Sequence, residues 1–422
     1  MVARTVELPG VPDLIAIGGR PGGTLWQHDD RGLAGVGTAL HIRLPRGLDG
    51  DEDVRTVLDS LQALSIDDPV GLPGCGPVVL GALPFDRSAP TGLVVPRWIV
   101  GRRGATSWLT SIAPADQVHD DPLGVLRALE SGGPAGEPPD GFSLTPAMSH
   151  GDWRHLVADA VATIRAGALA KVVLTRKVDV TANRPFVIPD VLARLAALYP
   201  VCMVFHADGF VGASPELLVE RLGERVRSYP LAGTVARSGD VTADQRLVDA
   251  LIASTKDRSE HRFVVDALTR ALEPLCAELD VPDHPEVLAL RNVSHLATPI
   301  SGRLLAGGPP GNGHGPPPAP SALDLVARVQ PTPAVAGTPT AAAIAYLQRV
   351  EGFDRGTFAG PVGWMDHRGD GAWAIGIRSA HVSAAGASMY AGVGVVADSD
   401  PVAELAETQL KLQALLAALV RP

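Results

Sequence analysis

Residues 392–413 read GVGVVADSDPVAELAETQLKLQ. A strand-like run ends in spaced glycines, passes through an acidic turn and enters a helix that should extend from about Pro401 to Leu419. Glu404, Glu407 and Lys411 stand at i, i+3 and i+7, on one face of that helix. The spacing of Glu407 and Lys411 also suits an ordinary surface ion pair, which contributes little. The glycine strand in front of it argues for more, because it brings backbone N–H groups and carboxylates to one place.

Working upstream, GAWAIGIRSAHVS at 371–383 and GPVGWMD at 360–366 read as strands, and TAAAIAYLQRV at 340–350 as a helix. Arg378 lies within the first of these, and an arginine in so apolar a run needs an anionic partner. The Gly/Pro-rich residues 306–321 are expected to form a mobile surface loop rather than a linker between folding units. Before them, Thr242 to about Asp280 reads as one long helical stretch, with Leu247, Leu251, Val264, Leu268 and Leu272 as its buried stripe. This stretch carries STKDRSEH at 254–261. Glu260 is there either part of a solvated face or an oxygen ligand for a hard cation.

VGASPE at 211–216 places Glu216 beside a Ser-Pro turn between apolar strands. Such a carboxyl is either a strand-end group facing solvent or a partly desolvated one, whose raised pKa would suit a general acid. Further upstream, Trp153, Leu156, Val157, Val161 and Ile164 recur at helical spacing, and after Gly167 the chain alternates as a strand, KVVLTRKVDV, which opens on Lys171. Only Lys171, Lys177, Lys256 and Lys411 are lysine among 36 basic residues, so each stands out for work an arginine cannot do, such as taking a proton.

The 422 residues are 46% apolar and 19% charged, enough for a large core in a globular protein. No apolar run has the length of a membrane span and the N-terminus lacks the pattern of a signal peptide, so a cytoplasmic location is expected. Cys75, Cys202 and Cys276 have no partner at metal-ligand spacing and read as buried thiols. A net charge of −10 without a basic stripe argues against nucleic acid, but not against a small anion held by local cations. No GxGxxG follows a strand and no GxxxxGK[ST] occurs, which disfavours nucleotide binding. Strands and helices mix without regular alternation, so the expected class is α+β, or layered α/β, with large and mainly antiparallel sheets.

Taken in order, KVVLTR (171–176), FVGASPELL (210–218), YPLAGT (229–234), STKDRSEH (254–261), SHLATPISG (294–302), PTPAVAG (331–337), FAGPVGW (358–364), IRSA (377–380) and the 392–413 stretch resemble the chorismate-utilising enzyme family. The likeness runs from about residue 145 to the C-terminus, and VVLGALPFD upstream also looks like the family's N-terminal part. It implies a single large domain of antiparallel sheets wrapped by helices. Residues 1–145 would be the N-terminal part of that fold and 146–422 the region that binds chorismate and Mg²⁺. It further implies Glu260 and Glu407 as Mg²⁺ ligands, with Glu404 acting directly or through water. Arg378 would grip the enolpyruvyl carboxylate, with Gly233, Thr234, Gly392, Gly394 and Lys411 as further donors and His295 near the reacting ring edge. Lys171 would be the general base that activates water and Glu216 the acid that protonates the departing hydroxyl.

Within the family, anthranilate synthases resemble this chain but carry Gln at the place of Lys171. Aminodeoxychorismate synthases carry a lysine where Ala232 stands, so no glutaminase subunit is expected. Salicylate synthases typically show tyrosine at the place of Phe358, and isochorismate synthases phenylalanine. Ala334 and Val335 also fit the isochorismate-forming group, while Gln330 departs from its usual histidine. The resemblance thus implies an isomerase that turns chorismate into isochorismate, for menaquinone or a siderophore, working as a monomer or weak homodimer. The alternatives are salicylate formation, the two aminating activities and a non-catalytic protein that has kept the cleft. Intact Lys171, Glu216, Glu260 and Glu407 argue against the last.

Overall fold

β-Branched residues with period two make the strand Lys171–Ala182, which pairs antiparallel with Gly386–Val395 from Val172↔Val395 to Thr181↔Gly386. The computed structural model describes residues 1–117, 121–131, 136–307, 319–384 and 386–420. Among these, the strands form one sheet of 13, one of 9 and one of 3, and the mixed, mainly antiparallel class expected from the sequence is what the chain adopts. The Gly/Pro-rich stretch expected to be mobile lies, from 308 to 318, outside the described residues.

Both large sheets take strands from both parts of the chain. Gly23–His28 pairs with Met203–Ala207 in the larger sheet, and Val78–Ala82 with Pro361–Asp366 in the smaller. Residues on either side of position 145 are therefore woven into one fold. Alternating side chains divide the core in two. Trp26, Phe205 and Phe210 point from the larger sheet toward Trp364, Trp373 and Val219 of the smaller, and the rings of Trp26 and Trp364 meet edge-on at 6.4 Å. Their neighbours Leu25, Val204 and Val211 point the other way, into a second cluster closed by helices through Leu14, Leu192 and Leu412.

Among the described residues four short passages lead directly from one large sheet to the other, and two of them lie side by side. Phe210–Ser214 belongs to the larger sheet and Leu217–Leu222 to the smaller, with Pro215 and Glu216 between them. Gly371–Ile375 and Ser379–Val382 make the reverse passage. The single strand read over 371–383 is therefore broken, and Arg378 stands at the break with φ of 51°, a backbone conformation that interrupts pairing. The crossovers are tied together: the Ile375 N–H donates to the Glu216 carbonyl at 3.1 Å and the Ala213 N–H to the Arg378 carbonyl at 3.2 Å.

The long helix read over 242–280 is also divided. A helix Val241–Ala253 ends at Ser254, whose hydroxyl accepts the Asp257 N–H and caps a second helix, Thr255–Leu272. Pro274 lies in the short turn that follows, and Cys276–Asp280 is an edge strand of the smaller sheet. The break resets the helical phase, so Leu247 faces outward at 38% exposure, whereas Leu251, Val264, Leu268 and Leu272 are buried. Cys75 and Cys202 are buried free thiols, both pushed up to about 12 by burial, and Cys276 is half-buried. Among the described residues no helix is long and apolar enough to cross a membrane.

Candidate active site

Both crossovers open onto one cleft, which is also walled by the Lys171 strand, its partner Gly386–Val395, the three-stranded sheet and the helices Thr255–Leu272 and Pro401–Leu419. Glu216, Gly233, Thr234, Glu260 and His295 line it on one side. Ala334, Val335, Phe358, Arg378, Gly392, Gly394, Glu407 and Lys411 complete it. Lys171 and Glu404 are the two expected residues that stand just behind the lining.

Lys171 is fully buried, and its Nζ lies 3.0 Å from Glu260 Oε1 without an aligned hydrogen bond. The contact passes over Gly394, where an added Cβ would collide with that same carboxylate oxygen. Alternation along the strand from Lys171 puts Val173 and Thr175 on the same face, and both line the cleft. His261, next to Glu260, instead turns into the protein and bonds Thr298 Oγ1 through Nε2 at 2.7 Å.

Glu216 is 4% exposed, and burial pushes its carboxyl up to about 7 even though Lys171, Arg378 and Lys411 pull it down. This is the desolvated setting rather than the solvent-facing one. Arg378 donates from Nη2 to Nε2 of His295 at 3.1 Å. The opposite ring nitrogen, Nδ1, lies 3.2 Å from the Gly233 carbonyl and 3.1 Å from Thr234 Oγ1. Burial, with Arg378 and Lys411 nearby, holds His295 well below its usual range, so it is neutral, accepting at Nε2 and carrying its proton on Nδ1. Gly233, with φ of 74°, makes the bulge that aims this carbonyl and leaves room for the Asp257 side chain. Arg378 has no carboxylate partner among the described residues.

The acidic side of the cleft is arranged as three lysine–glutamate pairs: Lys171–Glu260 at 3.0 Å, Lys256–Glu404 at 2.8 Å and Lys411–Glu407 at 2.6 Å. Lys411 also donates to the Gly392 carbonyl at 2.9 Å. Glu404 is buried, and burial followed by repulsion from Glu407 raises its pKa. Burial likewise raises Asp257, with Glu260 and Glu407 adding to the effect. Among the described residues no three acidic, histidine or cysteine side chains already converge as a metal cage. The donors nonetheless fit a hard divalent cation in kind, since Asp257, Glu260, Glu404 and Glu407 bring four carboxylates against three lysines.

The apolar wall holds residues that sequence reasoning passed over. Tyr390 lines the cleft and stacks on Phe358, with ring centroids 4.9 Å apart and planes 20° from parallel. Arg355 also lines it, but is paired with Glu351; at i,i+4 the two read in sequence like a surface helix pair. Lys256 lies within the STKDRSEH block and stood out in the sequence only as one of four lysines, without a partner assigned to it. Gln330 does not line the cleft: it is buried, and neither of its amide atoms has a partner among the described residues.

Comparison with known proteins gives the chain's family. A family described as chorismate binding enzymes matches residues 22–420. The MenF isochorismate synthase homologue of Mycobacterium tuberculosis is 40% identical over 359 residues, covering 82% of this chain and 87% of that protein. The isochorismate synthase DhbC of Bacillus subtilis is 36% identical over 354 residues, covering 81% of each. The solved structure of MenF, the menaquinone-specific isochorismate synthase of Escherichia coli, superposes with a TM-score of 0.79 at 27% identity, over 99% of this chain and 94% of that one. The chain belongs to the family of chorismate-binding enzymes.

Proposed function

We propose that this protein is an isochorismate synthase, which converts chorismate into isochorismate by adding water at ring carbon C2 as the hydroxyl at C4 departs. The observation that carries the reading is Arg378, a half-buried guanidinium in the cleft that has no carboxylate partner among the described residues and hydrogen-bonds a neutral histidine. A cation so placed is poised for an anionic ligand, and chorismate brings two carboxylates. The names of the similar proteins support the same reaction.

Arg378 binds the enolpyruvyl carboxylate. Lys411 and the backbone around Gly233, Thr234, Gly392 and Gly394 contribute further donors, and Ala334, Val335 and Phe358 shape the wall against the ring. Glu260 and Glu407 would hold Mg²⁺, with Glu404 acting directly or through water; when bound, the ion compensates the charge of the ring carboxylate. Lys171 Nζ takes a proton from water as the water oxygen bonds to C2. Both ring double bonds shift, from C1=C2 and C5=C6 to C1=C6 and C4=C5, the C4–O bond breaks, and the carboxyl of Glu216 gives its proton to the leaving hydroxyl. A carboxyl pushed up to about 7 holds the proton this role requires in a share of the molecules at neutral pH, where an ordinary glutamate has lost it.

No amine donor enters this scheme, so no glutaminase partner is needed. Incubating the protein with chorismate and Mg²⁺, with ammonium added in a parallel sample, and identifying products by chromatography and mass tests the assignment. Isochorismate in both samples is expected. An amine product, or salicylate with pyruvate as the main products, would overturn it.

A further inference from the structure

The strand that begins with Lys171 lacks a continuous neighbour on one edge. There it pairs with Gly337–Thr338 at Lys171 and Val172, and with Phe142–Pro146 from Val178 onward. Between those points no strand covers the edge among the described residues, although its backbone groups are buried and need partners. The Val173 N–H donates to the Ala336 carbonyl at 2.9 Å. The Lys177 carbonyl accepts from the Ala147 N–H at 3.0 Å, and two further groups are met by one ion pair. The Thr175 N–H donates to Glu351 Oε1 at 2.8 Å, and the Val173 carbonyl accepts from Arg355 Nη2 at 2.6 Å.

That ion pair is itself closed and buried. Arg355 donates to both carboxylate oxygens of Glu351, at 2.7 Å from Nε and 2.6 Å from Nη2, and the two residues are 4% and 6% exposed. Arg355 Nη1 donates to the Val335 carbonyl at 2.8 Å, and its guanidinium lies over the Phe85 ring at 4.4 Å. One guanidinium thus joins the lysine-bearing strand to the loop carrying Ala334 and Val335. Three donors in a rigid fork suit this junction, and a lysine could not replace them.

We propose that Glu351 and Arg355 are a positioning pair for the reaction: they stand in for the missing strand and fix Lys171 and Val335 relative to each other, so that the base and the wall behind the ring keep one geometry. The proposal rests on the reading of Lys171 as the base. Stability alone is a poor explanation, because a buried ion pair contributes little more than well-packed apolar residues of similar size. Displacement of a catalytic group by a fraction of an ångström, in contrast, is felt mainly in the chemical step.

The test uses Glu351→Gln, Arg355→Lys and the double variant Glu351→Leu/Arg355→Met, which leaves no buried charge unpaired. kcat per folded molecule and KM for chorismate are measured at saturating Mg²⁺, with Lys171→Met beside them. Each pair variant is expected to lose about 30- to 100-fold in kcat with KM within about threefold of wild type. Wild-type kcat per folded molecule in Glu351→Gln or in the double variant overturns the proposal, as does a loss that appears only in KM. Should the double variant not fold, Glu351→Gln decides alone. Turnover retained by Lys171→Met would instead sink the base assignment, whatever the pair variants do.

Discussion

Glu260 reaches Lys171 across a glycine: the 3.0 Å contact between its Oε1 and the buried lysine Nζ runs where a Gly394 side chain would stand. Sheet, helix and charge are coupled at this point. Gly394→Ala should keep the fold, because the backbone there is not in the left-handed region, but it must push Glu260 off both the lysine and the place proposed for it as a metal ligand. Loss of activity by about 100-fold, with a higher Mg²⁺ requirement, is expected in a metal titration alongside circular dichroism. A normal titration curve in the alanine variant would contradict this coupling.

Glu216 predicts a pH signature. Its carboxyl is raised from 4.5 to about 7, so the folded state favours the proton. The stability this contributes is fully present below about pH 4.5 and is lost as pH rises through about 7, amounting to roughly 3 kcal/mol. Denaturant melts of wild type and Glu216→Gln should therefore differ in pH slope over this window, the glutamine variant gaining on wild type at pH 8, and turnover should vanish in the variant. Parallel slopes would show that Glu216 is not desolvated in the folded protein.

Arg378→Ala removes the cation that lacks a carboxylate partner among the described residues. Chorismate affinity should fall by roughly 10- to 100-fold, the range of one charge-assisted hydrogen bond. Because Arg378 also depresses His295, that imidazole should titrate closer to the ordinary histidine range in the variant, as histidine NMR would register. Unchanged KM would remove Arg378 from substrate binding.

Part of this site was legible in local spacing, and the rest came only with the resemblance to the family. The i, i+3, i+7 placement of Glu404, Glu407 and Lys411 survives on the helix Pro401–Leu419, and the Ser-Pro turn does bury Glu216. What spacing could not reveal depends on distant partners or single-residue switches. One capping hydroxyl at Ser254 splits a helix whose apolar pattern reads as continuous, and Leu247 is left outside. The passage between sheets at Arg378 has the composition of an unbroken strand, because both sheets bury their residues there. The Glu351–Arg355 pair looks like surface charge until the open edge of a strand more than a hundred residues away is placed beside it.

The carboxylate pairs predict a stability readout for the metal. Mg²⁺ that binds only the folded protein should stabilise it by about 2.7 kcal/mol at about a hundred times Kd, and excess chelator should abolish turnover. Thermal melts of Glu260→Ala and Glu407→Ala should show no Mg²⁺-dependent shift while retaining the fold. An undiminished shift in both variants would place the metal elsewhere.

The most direct test of the central claim is to run the reaction in heavy-oxygen water and locate the label. If Lys171 activates solvent water while Glu216 releases the C4 hydroxyl, the isochorismate formed carries one heavy oxygen, at C2, and unreacted chorismate supplied at the start carries none at early times. Isochorismate formed without label would mean that the hydroxyl migrates within the substrate, and that Lys171 does not activate water and Glu216 does not release a hydroxyl to solvent.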